Sequence, residues 1–170
     1  VFAYQNLLAR EGLKKAYVDL TVVRPINHVS GLHAQYQDMN SGKSAAPYKT
    51  VKDYDNGLSR MDGFVTFLDR CIARMKQGVR SGVVETKLTT RQMIKQFDDL
   101  IAQGVENSPF WQPIKDMPKE FSEADRTRLT KAYRDMIGSK VVPAYERVRG
   151  YLKQSYLPKA RKGVGLVYMK

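Results

Sequence analysis

His28 and His33 are the two histidines of the chain, and metal chemistry is the first they could support. They stand five residues apart with Gly31 between them, so they do not share a helix face as the histidines of an H-E-x-x-H motif do. No Glu lies between them, and a zinc site would need a third ligand from far along the chain; two hydrogen-bonded structural histidines are the expectation. Cys71, the single thiol, falls beside an apolar helical stripe, which suits an inert buried side chain rather than a nucleophile. Ser41-Gly42-Lys43-Ser44 matches the end of a phosphate-binding loop, but Gln37 stands where that motif needs glycine, and no buried strand precedes it. Asp98 and Asp99 are adjacent and point to different helix faces, so they do not make a paired acid and base. Tyr145, Tyr151 and Tyr156 lie among basic residues and could stack on bases, yet at helical spacing they read as core or interface. The sequence therefore assigns no catalytic, no cofactor-binding and no metal-ligating residue.

The elements that would carry these residues are helical. Leu7, Leu8, Leu13, Ala16, Tyr17 and Leu20 follow helical spacing with no cap ahead of them, which predicts a helix over about 2–20 and a chain that begins inside it, as a truncated piece would. Residues 21–49 read as a loop broken by Pro25, Gly31, Gly42 and Pro47, with room for a short helix near Leu32 to Met39. Thr50 with Asp53 forms a capping-box-like start for a helix over 51–81, in which Val51, Tyr54, Leu58, Met61, Val65, Leu68, Ile72, Met75 and Val79 alternate steps of three and four up to a stop at Gly82. Gly57, Gly63 and Gly78 each cost such a helix about 1 kcal/mol, which close approach of another helix would recover. A shorter helix is predicted over 90–103, opened by Thr89 with Gln92 and closed by Gly104. A loop over 105–122 follows, its Phe110 and Trp111 plugging a gap between helix ends. Ser122 with Asp125 caps a last helix over 123–157, kinked near Pro143 and ended by Pro158. No alternating strand pattern and no internal repeat appear. The fold class predicted is all-α, a multi-helix bundle of long antiparallel helices in a single domain.

The 170 residues carry a formal charge of +12. Residues 1–125 hold 17 basic and 15 acidic side chains, whereas 126–170 hold 12 basic ones against Asp135 and Glu146. Such a stripe could displace counterions from phosphates, but no nucleic-acid-binding motif accompanies it. The alternative is a surface facing acidic groups of the same polypeptide. One cysteine excludes an intrachain disulfide framework and leaves the compartment open, and no apolar run is long enough to span a bilayer.

Read together, several segments resemble the amino-terminal half of the bacterial domain-of-unknown-function family 885. They are Arg24-Pro25-Ile26-Asn27 with Gly31-Leu32-His33; Asp53-Tyr54, Leu58-Ser59-Arg60 and Gly78-Val79-Arg80-Ser81-Gly82-Val83-Val84 within residues 51–84; Ser108-Pro109-Phe110-Trp111; and Pro143-Ala144-Tyr145 through Tyr156-Leu157-Pro158-Lys159-Ala160-Arg161 to Gly165-Leu166. Glu85-Thr86-Lys87 departs from the family pattern, which usually has a proline after the Gly-Val-Val turn.

The resemblance implies a larger helical protein similar to zinc metallopeptidases of the H-E-x-x-H class, in which a downstream His-Glu-x-x-Pro-Gly-His-His segment supplies metal ligands and a general base to a zinc-activated water. This chain stops before such a segment, so zinc is implied for the complete member and no cofactor for the chain itself. The implied partner is the missing carboxy-terminal half of the same polypeptide, with peptide as a substrate of the whole and self-association through uncovered apolar surface. The implied location of the full-length form is the periplasm or an envelope lipoprotein, with the cytoplasm as the alternative. The functional expectation is a non-catalytic helical scaffold. Its rivals are a basic helical nucleic-acid-binding module and a dimerisation module using the Val51 to Val79 stripe.

Overall fold

The computed structural model describes residues 22–29, 31–42 and 46–163, so the helix expected over 2–20 lies outside the described residues. The elements are α1 (Leu32–Asn40), α2 (Val51–Ser81), α3 (Lys87–Gln103), a 3-10 turn (Pro109–Trp111), α4 (Gln112–Lys115), α5 (Glu123–Met136) and α6 (Val142–Tyr151). Two π-helical turns, Ile137–Val141 and Leu152–Tyr156, extend α6 at either end. No β-strand occurs among the described residues; the isolated bridge between Thr86 and Arg161 is the sheet-like pairing they contain.

Each long helix begins at a side chain that satisfies its orphan amides. Thr50 Oγ1 accepts from Asp53 N at 3.2 Å while the Asp53 carboxylate accepts from Thr50 N at 2.8 Å, a complete capping box. These bonds, first that from the Thr50 backbone, hold the Asp53 carboxyl below its ordinary pKa. Gly82, at φ 75°, ends α2 in the left-handed region. Helix α3 starts three residues earlier than its sequence pattern predicts. Thr86, not Thr89, is the cap, accepting from Thr89 N at 3.0 Å. The segment where the family proline is missing thus still starts a helix, through a threonine oxygen.

The three long helical stretches run up, down and up. Tyr133 donates to the Tyr54 carbonyl, and Lys140 and Arg147 reach Asp62 and Asp69, so α5–α6 rises parallel to α2. Asp98 meets Arg149 whereas Glu106 meets Arg134, so α3 descends antiparallel to α5–α6, and α6 packs on both α2 and α3. Consecutive long helices are therefore antiparallel, and the first and third are parallel.

The buried seam of α2 consists of Tyr54, Gly57, Met61, Phe64, Leu68, Cys71, Met75 and Gly78. It keeps the three-and-four alternation but is rotated from the expected stripe: Leu58, Val65, Ile72 and Val79 are half-buried at its edge. Two glycines lie in its centre because bulk is excluded there. A Cβ on Gly57 would press on the Tyr133 and Tyr48 hydroxyls, and one on Gly78 would sit 2.5 Å from the Val83 carbonyl oxygen. Around Gly63 there is open space, so the approach of another helix expected at all three glycines is found at Gly57, through Tyr133 of α5, whereas Gly78 is met first by the carbonyl of the turn after α2.

Along the last helix Leu129, Tyr133, Ile137, Val141 and Tyr145 are all buried at steps of four. Steps of four overrun a 3.6-residue turn, and the π-turn at Ile137–Val141 returns the series to the core. It also accommodates Pro143, which lacks an N–H to donate and would clash with the carbonyl of Ser139 in a regular turn. The expected break is thus a widened turn within a continuing helix.

The loop expected over 105–122 contains the 3-10 turn and α4, and Phe110 and Trp111 do plug the bundle. Phe110 is fully buried against the rings of Tyr36, Phe64 and Tyr145. Helix α1 lies within the 21–49 segment and packs across α2 and α3, Tyr36 stacking on Phe64 and His33 on Phe97.

Candidate functional site

Most residues singled out for chemistry are occupied in holding the bundle. His33 is buried, with Nε2 3.1 Å from Gln96 Oε1. Its carbonyl accepts from the Tyr145 hydroxyl at 2.8 Å. His28 is exposed, and its carbonyl accepts from Gln96. No cluster of three His, Cys, Asp or Glu able to hold a metal exists among the described residues. Cys71 is buried, and desolvation pushes its thiol up to about 12, outside the range of a nucleophile at neutral pH. Ser41 closes α1 by donating to the Asp38 carbonyl; Lys43 and Ser44 lie outside the described residues. Asp99 pairs with Lys95 on α3, and Asp98 with Arg149 and Lys153 on the neighbouring helix, so the adjacent acids face different partners. Burial works to raise the Asp98 carboxyl, but hydrogen bonds from Arg149 and Lys153 and their charges hold it below its ordinary pKa. Tyr145 and Tyr156 are buried, the Tyr156 oxygen accepting from Glu85 N, and Tyr151 packs against the Tyr156 ring.

Burial lowers the His33 pKa from its ordinary 6.5, with the Gln96 hydrogen bond opposing. Below pH 6.5 the unfolded chain then binds a proton that the folded chain resists, so stability falls as pH drops through this window and is regained as it rises. Urea unfolding at pH 7.5 and 5.0 should show this loss, and His33→Gln should make it smaller. An unchanged pH dependence in the variant would assign the loss to other groups.

Six basic residues between 126 and 153 form a ladder on acids of α2, of α3 and of the loop after α3. Arg128, Lys140 and Arg147 meet Asp55, Asp62 and Asp69 at 2.8, 2.6 and 3.0 Å. Arg149 and Lys153 share Asp98, and Arg134 reaches Glu106 at 2.7 Å. The three α2 acids are spaced by seven, which places them in one row. Each exposed pair contributes about 0–1 kcal/mol, so the ladder sets register more than stability.

A clasp closes the other end of the bundle. Arg24 Nε lies 2.7 Å from Glu85 Oε1, with the Glu85 side chain 6% exposed. The adjoining Val84 carbonyl accepts from Arg161 Nε, and Lys87 N donates to the Arg161 carbonyl. Gly78 admits the Val23 and Val83 carbonyls beside it.

One polar cluster escapes the sequence pattern, because its members come from three helices and the α1–α2 connection. Tyr36 and Asn40 lie one turn apart on α1, both buried. Asn40 Oδ1 accepts from the Tyr48 hydroxyl at 2.9 Å, and the Arg60 guanidinium of α2 lies 5.6 Å from the centre of the Tyr48 ring. Tyr133 of α5 reaches the same place across Gly57. Tyr36 OH, Asn40 Nδ2 and one terminal nitrogen of Arg60 are covered and have no hydrogen-bond partner. Burial raises the Tyr36 phenol above its ordinary pKa, the neighbouring Tyr48 adds to this, and the Arg60 charge opposes it. The one sequence signal for this site is Gly57, a glycine inside a helix that marks a close approach.

A family model described as "Bacterial protein of unknown function (DUF885)" matches residues 3–165. No curated protein and no solved structure gives a significant match to the chain.

Proposed function

Because the chain belongs to the bacterial family of unknown function DUF885, we propose that it acts there as a non-catalytic helical scaffold, one wall of a larger zinc-peptidase-like protein. One observation carries the reading: the residues that resemble the family are occupied in closing the bundle. Arg24 binds Glu85, Gly78 admits two backbone carbonyls, the Tyr156 oxygen accepts from the turn before α3, and Arg161 holds that turn's carbonyl. Residues used in this way fix the position of surfaces and do not approach a substrate.

The zinc implied by the family resemblance is not suited to the residues described here. One histidine is buried, stacked on Phe97 and bonded to Gln96, while the other is exposed. Hydrolysis in the whole protein is therefore assigned to residues outside these, and its periplasmic or envelope location belongs to the same proposal. The basic segment is read as a face for acids of its own polypeptide, with a nucleic-acid-binding module as the alternative, which a salt-dependent DNA titration decides. Of the stripe that the dimerisation alternative would use, Tyr54, Met61, Leu68 and Met75 are buried inside the bundle, while Val51, Leu58, Val65, Ile72 and Val79 are half-buried.

Metal analysis after dialysis, with a peptide-hydrolysis assay alongside, tests the scaffold reading. The expected result is zinc well below one equivalent per chain and no hydrolysis. One tightly held zinc lost on His28→Ala or His33→Ala would overturn it.

A further inference from the structure

We propose that the polar cluster between α1 and α2 is a binding site for a small carboxylate, held by Arg60 with Tyr36 and Asn40. Unlike Arg128, Lys140 and Arg147, Arg60 pairs with no carboxylate among the described residues; its guanidinium lies over the Tyr48 ring. Asp53, which feels the Arg60 charge, is already bound to the amides of Lys49 and Thr50 and to the Thr50 hydroxyl. One guanidinium nitrogen is nonetheless covered and unbonded, and so are the Tyr36 hydroxyl and the Asn40 amide nitrogen. Tyr36 is 7% exposed and Asn40 1%, so bulk water does not satisfy them.

All three orphan groups can donate a hydrogen bond, and leaving such groups unpaired in a folded interior is costly. Their shared requirement is an acceptor, and beside an unneutralised guanidinium that acceptor should be anionic. A carboxylate offers two oxygens with about four acceptor positions in one plane, enough for a guanidinium, a phenol and an amide.

Neighbouring groups hold the donors in place. The Tyr48 hydroxyl bonds Asn40 Oδ1, which directs the amide nitrogen away from Tyr48. Phe64, one turn beyond Arg60 on α2, stacks on the Tyr36 ring at 4.1 Å between centres. Arg60 and Tyr48 are only half-buried, so they form the solvent-facing rim, with Tyr36 and Asn40 deeper. The site stands independently of the scaffold reading, since a non-catalytic wall can still hold a ligand.

The test is thermal unfolding and NMR titration of the chain with sodium acetate and with N-acetylglycine, against sodium chloride at equal ionic strength and against inorganic phosphate. Saturable stabilisation by both carboxylates is expected, with shifts at Tyr36, Asn40 and Arg60. Arg60→Gln should weaken acetate binding by about tenfold or more, the loss expected for a charge-assisted bond. Tyr36→Phe should weaken it by about threefold or more while leaving the unliganded fold at least as stable, because it deletes a hydroxyl without a partner. Three results would each overturn the proposal: no saturation beyond the chloride control, affinity in both variants equal to that of the unmodified chain, or saturation by phosphate with none by either carboxylate.

Discussion

Gly78→Ala is expected to destabilise the chain by about 1–3 kcal/mol, the range for forcing an extra methyl into a packed site. Alanine gains about 1 kcal/mol over glycine in a helix interior, so the loss from steric conflict must exceed that gain. The geometry says that it does. An added Cβ would lie 2.5 Å from the Val83 oxygen and 2.9 Å from the Val23 oxygen, and both are backbone atoms that cannot rotate away. The Val83 segment is anchored by its own N–H to the Gly78 carbonyl at 2.9 Å, and two residues later by the Glu85 bond to Arg24. Gly63→Ala, on the same helix, meets no atom within 4 Å and should stabilise by about 0.5–1 kcal/mol. Urea denaturation followed by the helical dichroism signal measures both variants. Equal stabilities for the two would mean that nothing packs closely on Gly78.

This contrast between glycines also shows what the sequence could and could not reveal. Capping pairs such as Thr50 with Asp53 and Ser122 with Asp125 are local, and so the starts of α2 and α5 were readable. The start of α3 was harder, because Thr86 and Thr89 are both competent caps and the choice between them rests on the pairing of Thr86 with Arg161. The α2 seam was misphased for a related reason. Hydrophobic periodicity weights Leu58 and Val65 above Gly57 and Gly78, yet the glycines face the core because a hydroxyl or a carbonyl occupies the volume that their side chains would need.

The polar cluster between α1 and α2 left less trace. Tyr36, Asn40, Tyr48 and Arg60 each look ordinary in their own stretch, and only the fold of α1 against α2 brings their polar atoms together. The charge ladder was half legible. The basic excess after residue 125 was plain in the composition, and the seven-residue spacing of Asp55, Asp62 and Asp69 marks one row on α2. Their meeting required the parallel arrangement of α2 with α5 and α6.

The second large effect concerns that ladder, which is central to the scaffold account because it assigns the basic segment to the chain's own acids. Replacing Asp55, Asp62, Asp69 and Asp98 with Asn adds four net positive charges, frees Lys140, Arg147, Arg149 and Lys153 from these partners and leaves Arg128 with Asp125 alone. The pairs are exposed or nearly so and individually weak, so the variant should keep its helical dichroism. Fluorescence anisotropy with a labelled DNA duplex across a salt series is the most direct measurement. The unmodified chain should bind only in the non-specific range, with a Kd of about 10⁻⁴ to 10⁻⁶ M at physiological salt. The neutralised variant should bind at least about tenfold more tightly and with a steeper salt slope, each additional phosphate contact adding about 0.9 to it. A Kd for the unmodified chain tighter than about 10⁻⁷ M at physiological salt, beyond that non-specific range, would contradict the account and assign the basic helix to nucleic acid instead.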